Sequence, residues 1–334
     1  MASQLLMRAA MLRTLSFLRT STTHLLIGAS LVIAPAAISP TPASAGPVES
    51  PVVGGTTVKP GAWPDVVAVL TAGGGLCSGT LLGADLVLTA AHCTDDQPVE
   101  VIVGAVDLSE PGGQIRKVSW SKSYPHWTEQ YDVGVVMLEH PVFAKQRAIA
   151  SGCSTRDQLV RGTMLDIVGF GLTTAAGTGD NTSLHQAKMP VTDPDCTRDP
   201  ACAAAIAPGG EFVAGGHGTD ACFGDSGGPV YITTALGPAL IGVVSRGLAS
   251  SPQPCGDGGI YVRADKVVDW IESTTGRKVD RVPCDTPADD GGDGLSDVLD
   301  GGGCSAGGEA VGGTLILVVL AAVWLLALRR GRTR

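Results

Sequence analysis

The run Gly224-Asp225-Ser226-Gly227-Gly228-Pro229 decides how the rest of the chain is read. A serine hydroxyl is a poor nucleophile at neutral pH. It needs a base to take its proton, a group to orient that base, and donors for the oxyanion that forms. Glycines on both sides of Ser226 let a substrate carbonyl approach the backbone. The N–H groups of Gly224 and Ser226 are candidates for an oxyanion hole. Gly-x-Ser-x-Gly alone is a weak signal, because glycine-rich turns are common; the six-residue run is far more specific.

Six histidines could supply the base. His24 lies near the N-terminus, and His126, His140, His185 and His217 sit in turn-like contexts. His92 differs, because Thr89-Ala90-Ala91-His92-Cys93 follows an apolar run and its small residues leave room for a neighbour. Asp132 begins the apolar stretch Asp132-Val133-Gly134-Val135-Val136. A carboxylate buried there without a partner would be costly. The order His92, Asp132, Ser226 is one of the known chain orders for a hydroxyl nucleophile with its base and orienting acid.

Around these residues the composition favours a β protein. Hydrophobic residues make up 44% of the chain and charged residues 16%, with 46 Gly and 21 Pro. That supplies a sizeable core with many turns. Short β-rich runs recur at 66–70, 80–82, 86–88, 99–103, 133–138, 164–168, 239–244 and 260–262, which predicts an all-β barrel or sandwich. Residues 264–273 are the exception. Val267, Trp270 and Ile271 share one face at helical spacing, which predicts a short amphipathic helix. The net charge is −9 with no basic cluster in the folded region, which argues against a nucleic-acid partner.

Five segments are expected. Residues 1–45 carry Arg8, Arg13 and Arg19, an apolar stretch at 25–38 and Ala43-Ser44-Ala45, the pattern of a cleaved export signal. Residues 46–51 (GPVESP) form a short propeptide, and 52–284 one globular unit. Residues 285–303, with six Asp, six Gly and no Lys or Arg, form an acidic linker unable to fold alone. Residues 304–334 contain an apolar run at 311–328 followed by Arg329 and Arg330. That run is just long enough to span a bilayer, so membrane contact is expected there. Export implies an oxidising compartment in which the nine cysteines can pair. No metal or other cofactor is expected, since no His/Cys set has zinc spacing.

VVGG (52–55), TAAHC (89–93), DVGVV (132–136) and GDSGGP (224–229) occur in order, and residues 52–275 together resemble the trypsin/chymotrypsin family of serine proteases. The resemblance implies two perpendicular six-stranded antiparallel β-barrels, a cleft between them holding His92, Asp132 and Ser226, and a C-terminal helix. It implies peptide or protein substrates and an acyl-enzyme on Ser226. It puts Asp220 at the base of the primary specificity pocket, with Ser245, Arg246, Gly247 and Gly259 along its walls, which implies cleavage after Arg or Lys. Relatives usually carry Trp where this chain has Arg246. The added positive charge would favour acidic residues upstream of the cut. Two alternatives are a non-catalytic relative acting as a binding protein and a structural surface protein on a barrel scaffold.

The resemblance also implies activation by a new N-terminus at Val52, whose ammonium pairs with Asp225. Pro51 precedes that bond in place of the usual Arg or Lys, so an external activating protease is expected. The implied disulfides are Cys77–Cys93 and Cys222–Cys255. Cys196 with Cys202, and Cys153 with Cys284, are guesses that spacing does not fix. Cys304 is left over. Cys304-Ser305, the apolar run and the final arginines resemble the C-terminal sorting signals of myxobacteria (MYXO-CTERM type). That implies sorting machinery acting near Cys304 and a protein at the cell surface or released. A plain membrane anchor is the simpler alternative.

Overall fold

Apolar runs broken by Gly and Pro become the strands of two closed barrels. A computed structural model describes residues 51–283. The expected export signal, the linker, the C-terminal segment, Cys284 and Cys304 lie outside the described residues. Among the described residues no helix is long and apolar enough to cross a membrane.

The first barrel is built from β1 (Val66–Thr71), β2 (Leu76–Gly83), β3 (Leu86–Thr89), β4 (Pro98–Val103), β5 (Gln114–Ser123) and β6 (Gly134–Leu138). They close in the order β1-β2-β3-β6-β5-β4, every pair antiparallel. The second uses β7 (Met164–Gly169), β8 (His185–Asp193), β9 (Glu211–Ala214), β10 (Pro229–Thr234), β11 (Gly237–Gly247) and β12 (Gly259–Arg263). Its order is β10-β7-β8-β9-β12-β11, closed by antiparallel pairing of β10 with β11. The expected all-β architecture of two six-stranded barrels is therefore present. Closure leaves few free strand edges.

Strands β3 and β6 are buried at every position, which is why their sequences are unbroken apolar runs rather than alternating ones. Four of these twelve barrel strands escaped the sequence reading. β5 is half exposed along its length and carries Arg116, Lys117 and Lys122. β8 alternates buried with less buried residues but contains Pro190, which weakens a strand pattern. β9 has only four residues and begins with the buried Glu211, and β10 begins at Pro229, directly after the glycine-rich run.

The predicted helix is present but shifted. Ala264–Lys266 is a single 3-10 turn, and the α-helix proper runs Val268–Thr275. It ends at Gly276, whose φ of +68° forms a left-handed cap that glycine adopts without steric cost. Val267 and Ile271 are fully buried, as their spacing predicted, and Trp270 packs on Tyr124 with ring centroids 5.1 Å apart.

A buried cluster ties one barrel to the other. Asp65 enters β1, and its carboxylate takes two hydrogen bonds from Arg147, Nε to Oδ2 at 2.9 Å and Nη2 to Oδ1 at 2.5 Å. Tyr231 of β10 donates its hydroxyl to Asp65 Oδ2, also at 2.5 Å. Arg147 donates to the Pro238 carbonyl at 2.8 Å. Trp63 stacks on Tyr231 with centroids 4.5 Å apart, and the guanidinium lies over both rings. Every charge here has its counter-charge, the condition under which a buried ion pair is tolerated.

Candidate functional site

His92 sits on the one-turn helix α1 (Ala91–Asp95), directly after β3. Ala90 and Ala91 are fully buried, so only small side chains fit beneath it. The Cys77–Cys93 disulfide ties this turn to β2. Asp132, 4% exposed, lies two residues before β6. Its Oδ2 faces His92 Nδ1 at 2.9 Å, and its Oδ1 accepts the His92 backbone N–H at 3.1 Å. Ser245 donates its hydroxyl to Asp132 Oδ2 at 2.8 Å. Burial pulls the His92 pKa down, but the hydrogen bond and charge of Asp132, with Asp96 and Asp95 nearby, outweigh it and leave it raised. Burial works against Asp132 ionising, yet its bonds to His92 and Ser245 hold its carboxyl below the ordinary value.

The Ser226 loop is shaped by its glycines. Gly224 has φ +102°, and a Cβ there would sit 3.0 Å from the Phe170 carbonyl oxygen. Gly227 has φ +78°, and a Cβ would meet Thr89 Oγ1 at 2.0 Å. The N–H groups of Asp225, Gly227 and Gly228 bond to the carbonyls of Cys222, Val244 and Asp225. Those of Gly224 and Ser226, and the Ser226 hydroxyl, have no hydrogen-bond partner among the described residues. Ser78, which the sequence reading missed, braces this loop twice and ties it to the segment at Phe170. Its N–H donates to the Ser226 carbonyl at 2.9 Å, its hydroxyl donates to the Gly224 carbonyl at 2.8 Å, and its Oγ accepts the Phe170 N–H at 3.0 Å.

A cleft of about 460 Å³ gathers most of the predicted residues: His92, Asp132, Asp220, Ser226, Ser245, Arg246, Gly247 and Gly259 all line it. Asp220 is 2% exposed and accepts hydrogen bonds from the Tyr261 hydroxyl at 2.9 Å and the N–H groups of Ala221 and Gly258 at 2.7 and 3.2 Å. Burial pushes its carboxyl up to about 6 against those bonds. A Cβ at Gly259 would lie 2.9 Å from Asp220 Oδ1, so glycine keeps the approach to the carboxylate open. The Cys222–Cys255 disulfide joins two segments that line the cleft.

Two wall residues differ from expectation. Arg246 does not present a free charge. Its guanidinium faces the buried Glu211 at 2.8 Å and donates to the Ala201 carbonyl, so its charge is paired rather than free over the cleft. The reason is Glu211 at the start of β9, whose polarity gave the sequence reading no partner. Trp127, also unforeseen, lines the cleft beside His92, their rings 6.4 Å apart, and donates Nε1–H to Asp95 at 2.9 Å.

Behind the Ser226 loop, Asp225 is fully buried. Its Oδ1 accepts the Gly171 N–H at 2.8 Å and its Oδ2 the Cys222 N–H at 2.9 Å. A Cβ at Gly169 or Gly171 would come within 2.2 or 2.3 Å of this carboxylate. Burial pushes its pKa up to about 7, beyond what those two bonds offset. Val52 is also fully buried, packed with the second barrel's core at φ +38°, a strained value for a β-branched residue.

The Cys196–Cys202 bridge is present as well. Cys153 is disulfide-bonded, and its expected partner Cys284 lies outside the described residues. His126 and His217 occupy turns at positive φ, and His185 is buried on β8 away from the cleft. His92 is grouped with Cys77 and Cys93, but those two sulfurs are bonded to each other rather than free to hold a metal.

Residues 52–271 match the family model described as Trypsin. Among curated proteins, pig (Sus scrofa) coagulation factor XII is 30% identical over 253 residues, 67% of this chain and 39% of the relative. Human serine protease 56 is 31% identical over 262 residues, 70% of this chain and 40% of the relative. The chain thus spans about two fifths of the length of these relatives.

Proposed function

Because the chain belongs to the trypsin family of serine endopeptidases, we propose that it is an exported enzyme that cleaves peptide bonds after Arg or Lys, with Ser226 as nucleophile and His92 as base. Ser226 Oγ attacks the scissile carbonyl while His92 takes its proton, then returns it to the leaving amine. Water hydrolyses the acyl-enzyme in the reverse sense. Asp132 holds the imidazole and stabilises the imidazolium. The unpartnered N–H groups of Gly224 and Ser226 receive the oxyanion. The observation that carries this reading is the 2.9 Å contact of His92 with Asp132 in the cleft that Ser226 also lines. A catalytic Ser–His hydrogen bond commonly tightens only when substrate binds. Labelling with a fluorophosphonate tests it. An adduct on Ser226 that is lost in His92→Ala is expected, and no adduct on the processed wild type would refute it.

The preference for Arg or Lys rests on Asp220, a buried carboxylate that has no cationic partner among the described residues and lines a cleft of about 460 Å³. A cationic substrate side chain would supply the missing counter-charge. Activation rests on Val52 and Asp225. Both are buried, and among the described residues the Asp225 carboxylate has two backbone donors but no counter-ion. Cutting after Pro51 by an external protease would give Val52 an ammonium to pair with it. Removal of dipeptides fits the six-residue leftover 46–51. Export is supported by the disulfides and by the pattern of residues 1–45. Surface sorting near Cys304, with transient inner-membrane contact through 311–328, rests on the sequence pattern alone.

A further inference from the structure

The catalytic aspartate does not end the hydrogen-bonded chain that begins at His92. Asp132 Oδ2 accepts the Ser245 hydroxyl at 2.8 Å, and Ser245 Oγ accepts Arg246 Nη1–H, also at 2.8 Å. Arg246 Nη1 faces Glu211 Oε1 at 2.8 Å, and its Nη2 donates to Glu211 Oε2 at 3.0 Å. Glu211 Oε2 also accepts the Ala203 N–H at 2.8 Å. Glu211 is 1% exposed and the Arg246 side chain about one third exposed. From these contacts we infer that Arg246 is a positioning residue for catalysis, acting on Asp132 through Ser245 with its own charge balanced by Glu211.

The argument is one of donors and charge, and it rests on the assignment of His92 as base. A serine hydroxyl has one hydrogen. With Arg246 donating to Ser245 Oγ, that hydrogen is directed at Asp132, fixing Ser245 as a donor to the carboxylate. The guanidinium nitrogen also lies within two hydrogen-bond lengths of Asp132 Oδ2. A cation there favours the ionised carboxylate and disfavours a second cation on the imidazole. The charged groups around His92 are Asp132, Asp95 and Asp96, all of which raise its pKa, together with the Arg246–Glu211 pair behind Ser245. The planar fork lets one side chain serve Ser245, Glu211 and the Ala201 carbonyl at once, which a lysine cannot reproduce.

The test is the pH dependence of Ser226 labelling by a fluorophosphonate on the processed full-length protein. This probe reports the His92 base and does not depend on which residue precedes the scissile bond. Arg246→Met removes a cation and leaves Glu211 unpaired, so the acid-limb midpoint should rise by about half a pH unit or more. Glu211→Gln keeps the shape and leaves Arg246 unbalanced, so its midpoint should fall. Arg246→Lys should hold the midpoint near the wild-type value yet label several-fold more slowly, about 3- to 10-fold for one lost hydrogen bond. A purely structural role for Arg246 in bracing the 196–202 loop would lower rates without moving midpoints in opposite directions. If Arg246→Met fails to fold, the Glu211→Gln and Arg246→Lys profiles decide. Midpoints unchanged, or moved the same way, in the variants that fold would overturn the inference. Absence of any acid limb in the wild type would instead overturn the assignment of His92 as base.

Discussion

Asp132 holds His92 at two points: Oδ2 lies 2.9 Å from the ring Nδ1, and Oδ1 accepts the backbone N–H of the same residue at 3.1 Å. One carboxylate thereby sets the ring's tautomer and the position of the turn that carries it. Asp132→Asn keeps the size but presents an amide to the ring. The corresponding change in a serine protease lowers kcat by about 10⁴-fold. A similar loss is expected here in steady-state hydrolysis of a peptide amide, with the melting temperature little changed. A loss under tenfold would show that the carboxylate does not orient the base.

The raised His92 pKa fixes the acid side of the pH profile. His92 must be neutral to act as base, so activity is lost as pH falls through its pKa. Asp132, Asp96 and Asp95 outweigh burial and raise that value above 6.5. The acid limb of kcat/KM should therefore have its midpoint above 6.5, and Asp132→Asn should move it down. A wild-type midpoint well below 6.5 would contradict this balance.

Asp220 predicts a second, separable pH effect. Burial raises its carboxyl to about 6, so the free pocket loses its negative charge as pH falls through that value. KM for an Arg substrate should rise on acidification while KM for a neutral ester substrate stays flat. If Asp220 pairs with the substrate cation as proposed, Asp220→Ala removes one member of that pair, costing about 2–5 kcal/mol, or roughly 30- to 4000-fold in kcat/KM. Equal KM profiles for the two substrates would remove Asp220 from substrate binding.

Asp225 links processing to stability. In the uncut chain its folded pKa of about 7 stands above the ordinary 3.8, so ionising it costs stability. The cost is absent below about pH 4 and grows as pH rises towards 7. A Val52 ammonium would favour the ionised form and remove it. The processed protein should melt at a higher temperature than the precursor at neutral pH, the gap closing on acidification. A gap independent of pH in paired melting curves would contradict the pairing of Val52 with Asp225.

The cluster between the barrels predicts a structural effect. Arg147→Met leaves Asp65 buried without its counter-charge, although Tyr231 still donates to it. Breaking one side of such a pair costs about 3–5 kcal/mol. Denaturant unfolding should show that loss, and a change below 1 kcal/mol would mean the cluster carries little.

Much of the fold was legible because burial leaves a simple trace. β3 and β6 are apolar at nearly every position, and the glycines around Ser226 are required by positive φ or close backbone approach. The positions of His92 and Asp132 were legible because each adjoins such a strand. What escaped was polar and non-local. Asp65 and Arg147 lie 82 residues apart, and Arg246 and Glu211 lie 35 apart. Neither pair has periodicity or a local motif to announce it. Ser78 was hidden for a related reason, since its three bonds go to backbone atoms of distant loops. The free charge expected on Arg246 came from seeing one partner of a pair whose other member begins a short strand.

Mapping the bonds cut by the processed protein in a peptide library, by mass spectrometry, tests the central claim most directly. The account predicts cuts after Arg and Lys, and a loss of roughly 10⁶-fold in kcat for Ser226→Ala. Cleavage after Phe or Leu, or hydrolysis by Ser226→Ala at the unmutated rate, would contradict it.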